Sequence, residues 1–452
     1  GIAGPGGATP GKEVGLFYLG LAHRTGTMSR EHRFQGDREE SRRLAAETAL
    51  AWLKEYLTEV GKDNPGRRDK SGYDVIIAGA GPAGATLACE LARANVSVLL
   101  LEKEVIPRHK TCAGGISLRA AGLLGFSIDP VVENVIYGAR LSYQFREQAT
   151  RFSDQPIIYM VSRGRFDQFL CKQAQNAGAE IRDGHQVLGI ESQSGSYLVQ
   201  TDKGNFTGRV MAGADGVNSV VARGLSEPDG FSYYAGLEAE VHVDQDTMSY
   251  WNNLLGLDFG TIPGGYGWLF PKRDHLSIGV VGPNRFARRL NPYLRLLLEY
   301  YCPQGYDTGM PRGALLRVRK PHTPITFRGR LLVGDAAGMG NAFTGEGIYY
   351  AIRSAGLAAH EIVKFLEGET LSLKGYEKAI EQELSPEQEI SHNLAAICAA
   401  GNIGTSRIFF SSLVENERLW RALCQVLSGQ KTYPELKNSR RFYYALCRLL
   451  GG

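Results

Sequence analysis

A glycine-rich turn near residue 80 constrains the fold of this chain more than any other feature. The turn, GAGPAG at residues 79–84, follows an apolar, β-branched run at residues 73–79 that is typical of a buried strand. A helical pattern over residues 84–94 and a second apolar run at residues 96–103 come next. This order predicts a βαβ unit with parallel strands, in which the turn and the helix N-terminus hold a dinucleotide pyrophosphate.

The three glycines of this turn have separate roles. Gly79 permits the tight turn, Gly81 lets the backbone approach the phosphates, and Gly84 lets the helix pack on the strand. Glu102 ends the second strand, where a carboxylate can accept hydrogen bonds from both hydroxyls of an adenosine ribose. The residues that we predict to bind the dinucleotide here are Gly79, Gly81, Pro82, Ala83, Gly84, Glu102 and Lys103.

A second glycine motif, GADGVNS at residues 213–219, follows another apolar run and precedes Arg223. We expect Asp215, followed by Gly216, to orient a tight turn near the pyrophosphate. Taken alone, the three residues Ala-Asp-Gly are equally typical of an ordinary β-turn.

The third motif consists of LVGDAAG at residues 332–338 and NAFTGEGI at residues 341–348. Asp335 ends a strand there and is predicted to accept a hydrogen bond from a ribityl hydroxyl of the cofactor. A long helix is predicted from about Gly345 to residue 366, with its positive end at the pyrimidine edge of a flavin, where it would stabilise the anionic reduced form. The predicted contacts are Gly334, Asp335, Gly345, Gly347 and Ile348.

Together, the three motifs resemble the fingerprints of FAD enzymes with the p-hydroxybenzoate hydroxylase type of fold. SRGRFD at residues 162–167 is similar to the Arg-x-x-Phe-Asp helix start of that group, and the resemblance implies that Arg163 lies close to the cofactor. It also implies an α/β fold class, with a Rossmann-like FAD-binding domain, an inserted antiparallel-sheet substrate domain and a helical C-terminal region.

Two further stretches resemble the geranylgeranyl reductases. PRHKTCAGG at residues 107–115 is similar to that family's Pro-Arg-x-Lys-x-Cys-Gly-Gly-Gly segment, and residues 262–271 contain its Tyr-x-Trp-x-Phe-Pro motif. In that family the aromatic strand lies over the flavin and lines the prenyl cavity. The resemblance covers residues 73–436, and its departures are Ala113 for the usual Gly and Ala342 for a frequent Pro. The candidate catalytic residues are Cys112, Tyr266 and Trp268.

The resemblance implies a reductase that saturates C=C bonds of a geranylgeranyl-type chain with hydride from reduced FAD. Cys112 is a candidate to supply the proton or to gate the site, although a small buried thiol is equally typical of a core. The reductant stays open between NADPH and ferredoxin. The competing interpretations are an aromatic hydroxylase, a quinone-linked flavin dehydrogenase and a binding module with a vestigial flavin.

Residues 1–60 form a separate region. A Gly/Pro-rich loop, a strand at residues 16–22 and a helix at residues 37–60 resemble the C-terminal half of the CinA domain, an amidase acting on nicotinamide mononucleotide. The catalytic Ser and Lys of that family lie in the earlier half. We therefore expect a truncated fusion partner with an unpaired strand edge and no amidase activity.

Composition sets the remaining boundaries. We predict a linker at residues 61–72, an FAD-binding domain at 73–365 with insertions at about 137–162 and 231–320, and a helical region at 366–452. A net charge of +4 without massed Lys or Arg argues against nucleic-acid binding. The seven Cys form no CxxC pair, and we expect no metal site. Without a long apolar run, a cytoplasmic protein is expected, with peripheral membrane contact through the last helices as an option.

Overall fold

The computed structural model describes residues 15–23, 26–60, 72–225, 230–400 and 403–438. The chain divides into two compact units, Gly1–Asp69 and Lys70–Gly452. Most of the expected linker, the Gly/Pro-rich start and the last fourteen residues of the expected helical region, 439–452, lie outside the described residues.

The first unit is a hairpin followed by a helix. Strands β1 (Leu16–His23) and β2 (Gly26–Arg33) pair antiparallel, and α1 (Arg38–Val60) follows. Asp37 begins the helix, because its carboxylate accepts hydrogen bonds from the backbone N–H groups of Glu39 and Glu40. Strand β2 was not expected, since GTMSREHR has no apolar alternation. It pairs with one edge of β1, and no strand among the described residues pairs with the other edge.

The second unit contains the rest of the described elements. It begins with β3 (Tyr73–Ala78), α2 (Pro82–Arg93), β4 (Val98–Leu101), β5 (Gly115–Ser117), α3 (Leu118–Gly122), β6 (Asn134–Ile136), β7 (Gly138–Tyr143), β8 (Glu147–Phe152) and β9 (Ile158–Met160). It continues with α4 (Arg163–Asn176), β10 (Glu180–Arg182), β11 (Val187–Gln193), β12 (Ser196–Thr201), β13 (Gly204–Gly213), β14 (Phe231–His242), α5 (Gln245–Trp251), β15 (Leu254–Phe259), β16 (Tyr266–Pro271) and β17 (Leu276–Pro283). It ends with α6 (Leu290–Tyr301), β18 (Asp307–Thr308), β19 (Arg312–Arg319), β20 (Thr326–Phe327), β21 (Arg330–Leu332), α7 (Ile348–Glu367), α8 (Lys374–Glu383), α9 (Ser385–Ala400), α10 (Ile403–Glu415), α11 (Glu417–Ser428) and α12 (Tyr433–Asn438).

The first large sheet has the strand order β10-β4-β3-β13-β12-β11, with β21 beside β13 and β20 beside β21. Strands β10, β4, β3, β13 and β21 run parallel, whereas β13, β12 and β11 form an antiparallel meander. Every residue of β4 is buried, as expected of a parallel strand covered on both faces. The carboxyl ends of β3, β4, β13 and β21 therefore meet at one edge, where the three glycine motifs begin.

The second large sheet has the order β18-β14-β17-β16-β15-β7-β8, with β19 also beside β14. Its pairs are antiparallel apart from β15 and β7, which run parallel. Helix α6 covers one face, where Leu269 belongs to the same buried cluster as Tyr293 and Leu297. A three-stranded sheet, β5-β9-β6, completes the strands. The predicted fold class is confirmed: a Rossmann-like unit, an inserted sheet that is largely antiparallel, and helices α8–α12 at the end.

Two helix starts differ from the sequence prediction. Helix α2 begins at Pro82 rather than Gly84, because proline suits the first helical turn. Helix α7 begins at Ile348 rather than near Gly345. Gly345 has a φ of +72°, outside the helical region, and its N–H donates to the Asn341 carbonyl to close a loop. No helix within the described part of the chain combines the length and apolar character needed to cross a membrane.

Candidate active site

The first glycine turn brings backbone groups so close together that side chains are excluded. Gly79 has a φ of +98°, and a Cβ there would lie 2.4 Å from the Ala214 carbonyl oxygen. A Cβ on Gly84 would lie 1.9 Å from the carbonyl oxygen of Gly79. The Ala80 N–H donates to Oε2 of Glu102 at 2.9 Å, so this carboxylate is tied to the turn. The turn therefore presents bare backbone beside a fixed, buried carboxylate.

A chain of alternating charges continues from Glu102. Arg108 lies 3.2 Å from the Glu102 carboxylate through Nε and 2.9 Å from Asp167 through Nη1. Arg163 donates to both oxygens of Asp167, at 2.9 and 3.0 Å. Burial alone would lower the pKa of the Arg163 guanidinium, but Asp167 and Cys112 outweigh burial, and the pKa lies above its ordinary value. Arg163 therefore remains charged beside the site.

Asp215 holds the second motif in a turn and leaves one oxygen unsatisfied. Its Oδ2 accepts from the Val220 N–H at 2.7 Å and the Val221 N–H at 3.4 Å. Its Oδ1 is buried without a hydrogen-bond partner among the described residues, and burial raises the pKa of this carboxyl. Gly216 follows with a φ of +78° and open space where a Cβ would be. An unpartnered buried oxygen is what a bound polar group would complete.

The third motif folds into a loop that Asn341 organises. The Asn341 Oδ1 accepts from the N–H groups of Phe343 and Thr344, and its Nδ2 donates to the Tyr350 hydroxyl. Asp335 lines the adjacent cavity, and burial raises its pKa despite the positive charges of Lys110, Arg163 and Arg317. The loop leads into α7, so the positive end of that helix lies at the cavity wall.

The segment that contains Cys112 is held from two sides. The Cys112 N–H donates to Oε2 of Glu238 at 2.7 Å, and Oε1 of Glu238 accepts from the Ser277 hydroxyl at 2.6 Å. The buried Lys272 ammonium donates to the Ala113 carbonyl at 2.5 Å. Burial lowers the pKa of Lys272 to about 8. Cys112 lines the cavity between these two attachments, and its Sγ accepts from the Gly114 N–H at 3.5 Å.

One face of β16 forms an aromatic wall. Tyr266, Trp268 and Phe270 alternate along the strand and all line the cavity. The Tyr266 hydroxyl donates to the Thr344 carbonyl at 2.6 Å, which ties the wall to the third motif. Trp268 lies against Gly279, where a Cβ would be 2.1 Å from the indole ring. Glycine at this position therefore lets the indole lie flat on the neighbouring strand.

Most of these residues line one cavity of about 670 Å³, whereas Asp167 and Lys272 lie outside its lining. Apolar side chains from β15 and from the helices near the C-terminus close it. They are Leu255, Leu257, Phe259, Ala395, Cys398, Leu423, Val426, Leu427 and Tyr433. The cavity thus has a polar end formed by the glycine motifs and an apolar end formed by the sheet and helices.

The sequence-predicted residues mostly meet at this cavity. Those that line it are Gly79, Gly81, Pro82, Ala83, Glu102, Lys103, Cys112, Arg163, Asp215, Gly216, Tyr266, Trp268, Asp335, Gly345, Gly347 and Ile348. Lys103 has a side chain that is 64% exposed and lies 3.8 Å from Glu104. Gly84 and Gly334 are not part of the lining. Gly84 packs against the Gly79 carbonyl, and a Cβ on Gly334 would meet Ala83 of α2 at 2.8 Å.

Sequence reasoning missed four charged residues that fix the site: Arg108, Asp167, Glu238 and Lys272. Arg108 lies in the segment at residues 107–115 that drew attention to Cys112, and Asp167 lies in the segment at residues 162–167 that drew attention to Arg163. Lys272 follows directly on the Pro that ends the aromatic motif, so a buried lysine beside that strand was open to prediction. Glu238 carries no local signal, because its partner Cys112 is far away in the sequence.

The residues present fit an FAD. A glycine turn with bare backbone, the fixed Glu102 carboxylate and the unsatisfied oxygen of Asp215 suit the dinucleotide portion. Asp335 and the N-terminus of α7 suit the ribityl chain and the flavin ring.

Comparison with known proteins agrees with this site. The FAD binding domain family matches residues 72–259, and the CinA C-terminal domain family matches residues 1–57. The geranylgeranyl diphosphate reductase of Rhodobacter capsulatus is 32% identical over 322 residues, which cover 67% of this chain and 78% of that protein. The digeranylgeranylglycerophospholipid reductase of Methanocella arvoryzae is 27% identical over 368 residues, which cover 76% and 92%.

A solved structure shows the same fold. The geranylgeranyl bacteriochlorophyll reductase-like protein of Thermoplasma acidophilum superimposes with a TM-score of 0.68 at 23% identity, covering 82% of this chain and 99% of that chain. The match extends across nearly the whole of the solved protein.

Proposed function

This chain belongs to the geranylgeranyl reductase family of FAD-dependent oxidoreductases, and on that premise we propose that it saturates isolated C=C bonds of a prenyl chain. One observation carries the proposal. The cavity that the three flavin motifs enter continues between the aromatic face of β16 and the apolar helices α9 and α11. An unsubstituted isoprenoid has only apolar surface to offer, and this wall matches it.

The cofactor would be held by the residues that line the polar end of the cavity. Glu102 would accept the adenosine ribose hydroxyls, the turn at residues 79–84 would receive the pyrophosphate, and Asp335 would receive the ribityl chain. When bound and reduced, FAD supplies a hydride to one carbon of the alkene.

The protein itself would position the prenyl chain, exclude water from the cavity and supply a proton to the alkene. Tyr266 and Trp268 would hold the chain along the cavity wall, and the apolar helices would exclude water. The Cys112 thiol would give its proton to the second alkene carbon, and the resulting thiolate would recover a proton from solvent after the product leaves. The alkene thus receives one hydride and one proton, which together saturate one double bond.

We also propose a chemical class for the substrate head group and for the reductant. The relatives are named for a diphosphate and for a glycerophospholipid, so a phosphate-bearing geranylgeranyl lipid is the proposed substrate class. His109 and Lys110, which line the cavity, are candidate phosphate contacts. NADPH or ferredoxin would restore the reduced flavin, and access to a lipid substrate would involve peripheral membrane contact.

Product analysis tests the function. The FAD-loaded protein, reduced with dithionite, is incubated anaerobically with geranylgeranyl diphosphate or a digeranylgeranyl glycerophospholipid, and products are read by mass spectrometry. We expect a gain of two hydrogens for each bond saturated. Cys112→Ala should lower the rate by about 100-fold or more, as for loss of a general acid. Cys302→Ala is the matched control, since that thiol is buried on the other face of the sheet.

Unchanged lipids with either head group would contradict the proposal. Oxygen consumption coupled to a phenol would favour an aromatic hydroxylase instead. Equal rates for Cys112→Ala and Cys302→Ala would remove the proposed role of the thiol but leave the reductase function standing.

A further inference from the structure

Lys272 is a buried ammonium whose hydrogen bonds all go to backbone carbonyls. Lys272 comes directly after the last residue of β16. Its Nζ donates to the carbonyl oxygens of Ala113 at 2.5 Å, Gly114 at 3.4 Å and Val161 at 2.9 Å. Only 4% of the residue is exposed. Burial disfavours the charged form of this amine, whereas the nearby carboxylates of Glu238, Glu133 and Glu240 favour it.

These three carbonyls belong to two segments of the candidate site. Ala113 and Gly114 follow Cys112, whereas Val161 precedes the helix that begins at Arg163. The segments also bond to each other, through the Val161 N–H and the Gly114 carbonyl at 2.9 Å. The packing is tight at Gly114, since a Cβ there would lie 2.1 Å from the Val161 oxygen. The ammonium therefore joins the Cys112 segment to the segment that carries Arg163.

The Cys112 segment has a cavity on its other side as well. A second cavity of about 200 Å³ is lined by Cys112, Glu238, Lys272 and His275, on the side of Lys272. Cys112 and Glu238 also line the large cavity, so this segment forms part of the partition between the two. At Cys112 the partition has a cavity on each side, so its position there depends on the hydrogen bonds to Glu238 and Lys272.

We propose that Lys272 is a positioning residue that fixes the Cys112 segment at the wall of the large cavity, with Glu238 as its counterpart on the Cys112 N–H. The catalytic consequence rests on the proposed function, because it assigns proton delivery to Cys112. The mechanical claim does not depend on it.

The experiment compares Lys272→Met, which keeps the apolar stem but has no donor, with the wild-type chain. Tyr293→Phe is the matched control, because it removes a buried hydroxyl that bonds Asp258 on the opposite face of the same sheet. Iodoacetamide labelling of Cys112, read by peptide mapping, should be several-fold faster in Lys272→Met and unchanged in Tyr293→Phe. Lys272→Gln retains two amide donors and should label at an intermediate rate, which covers the case in which Lys272→Met does not fold.

Turnover supplies the second readout. Lys272→Met should lower kcat by about 100-fold, the loss expected when a catalytic group is displaced by roughly 1 Å, with KM for the lipid little changed. In a Cys112→Ala background the same substitution should cause almost no further loss, since both changes remove one function.

Equal labelling of Cys112 in Lys272→Met, Lys272→Gln and the wild-type chain would overturn the mechanical claim whether or not the protein reduces lipids. A full additional loss of kcat in the Cys112→Ala background would overturn the catalytic consequence. A wild-type chain that never reduces a prenyl lipid would instead remove the proposed function, with the labelling result still deciding the role of Lys272.

Discussion

Arg108 lies between two buried carboxylates, and each of the three side chains is at most 9% exposed. Its removal would leave Glu102 and Asp167 close together and only partly compensated, by Arg163. Breaking a buried ion pair by removing one partner costs about 3–5 kcal/mol. We therefore expect Arg108→Ala to lower the free energy of unfolding by about that amount and to weaken FAD binding.

Urea unfolding of the FAD-free protein checks this expectation. Arg421→Ala is the matched control, because its side chain is 69% exposed and lies 3.7 Å from Glu417, whose side chain is 61% exposed. Loss of such a partly exposed pair should cost less than about 1 kcal/mol. Similar losses for the two variants would show that the Arg108 network does not carry the stability assigned to it.

At the residue scale, sequence reasoning found the groups that a motif marks and missed those that only folding brings together. Glu102 and Asp335 stand at strand ends beside glycine turns, where a pattern of a few residues identifies them. Glu238 reaches the Cys112 N–H from β14, and Lys272 reaches carbonyls that precede it by more than a hundred positions. No spacing rule relates residues so distant, so these contacts needed the sheet register.

At the element scale, α11 separates the cavity from solvent. Leu423, Val426 and Leu427 line the cavity, whereas Arg418 and Arg421 are exposed on the other face. We expect Leu423→Lys to raise KM for the prenyl lipid by about tenfold or more, because one buried leucine contributes roughly 1.5–3 kcal/mol of apolar contact. FAD content should not change, since the glycine motifs are elsewhere in the lining.

Steady-state kinetics and flavin absorbance measure these two quantities on the same samples. Arg421→Lys serves as the control on the outer face, where 69% of the side chain is exposed. An unchanged KM in Leu423→Lys would show that the prenyl chain does not reach α11. A parallel loss of flavin would show that the substitution disturbs the whole cavity rather than its apolar end.

Elements were predictable wherever hydrophobic runs were strong. The predicted ends of β3 and β4 lie within two residues of the observed ends. These strands were predictable because β-branched runs in a parallel sheet are buried on both faces. Strand β2 was missed because its polar sequence resembles a loop. The start of α7 was placed too early, because Gly345 adopts a left-handed conformation that composition does not reveal.

At the scale of the whole molecule, the order of three motifs was enough to predict the fold class. The closure of the cavity was not predictable in the same way. It depends on α9 and α11, whose apolar residues are equally typical of helices that pack on a core. The resemblance of residues 1–57 to the CinA C-terminal domain was also visible in the sequence, although its second strand was not.

The most direct test of the account is an anaerobic flavin titration. The FAD-loaded protein is bleached with dithionite, excess reductant is removed, and geranylgeranyl diphosphate is added while flavin absorbance is followed. We expect oxidised flavin absorbance to return in proportion to the double bonds supplied. Flavin that stays bleached with both the diphosphate and the glycerophospholipid, or a protein that retains no FAD after reconstitution, would contradict it.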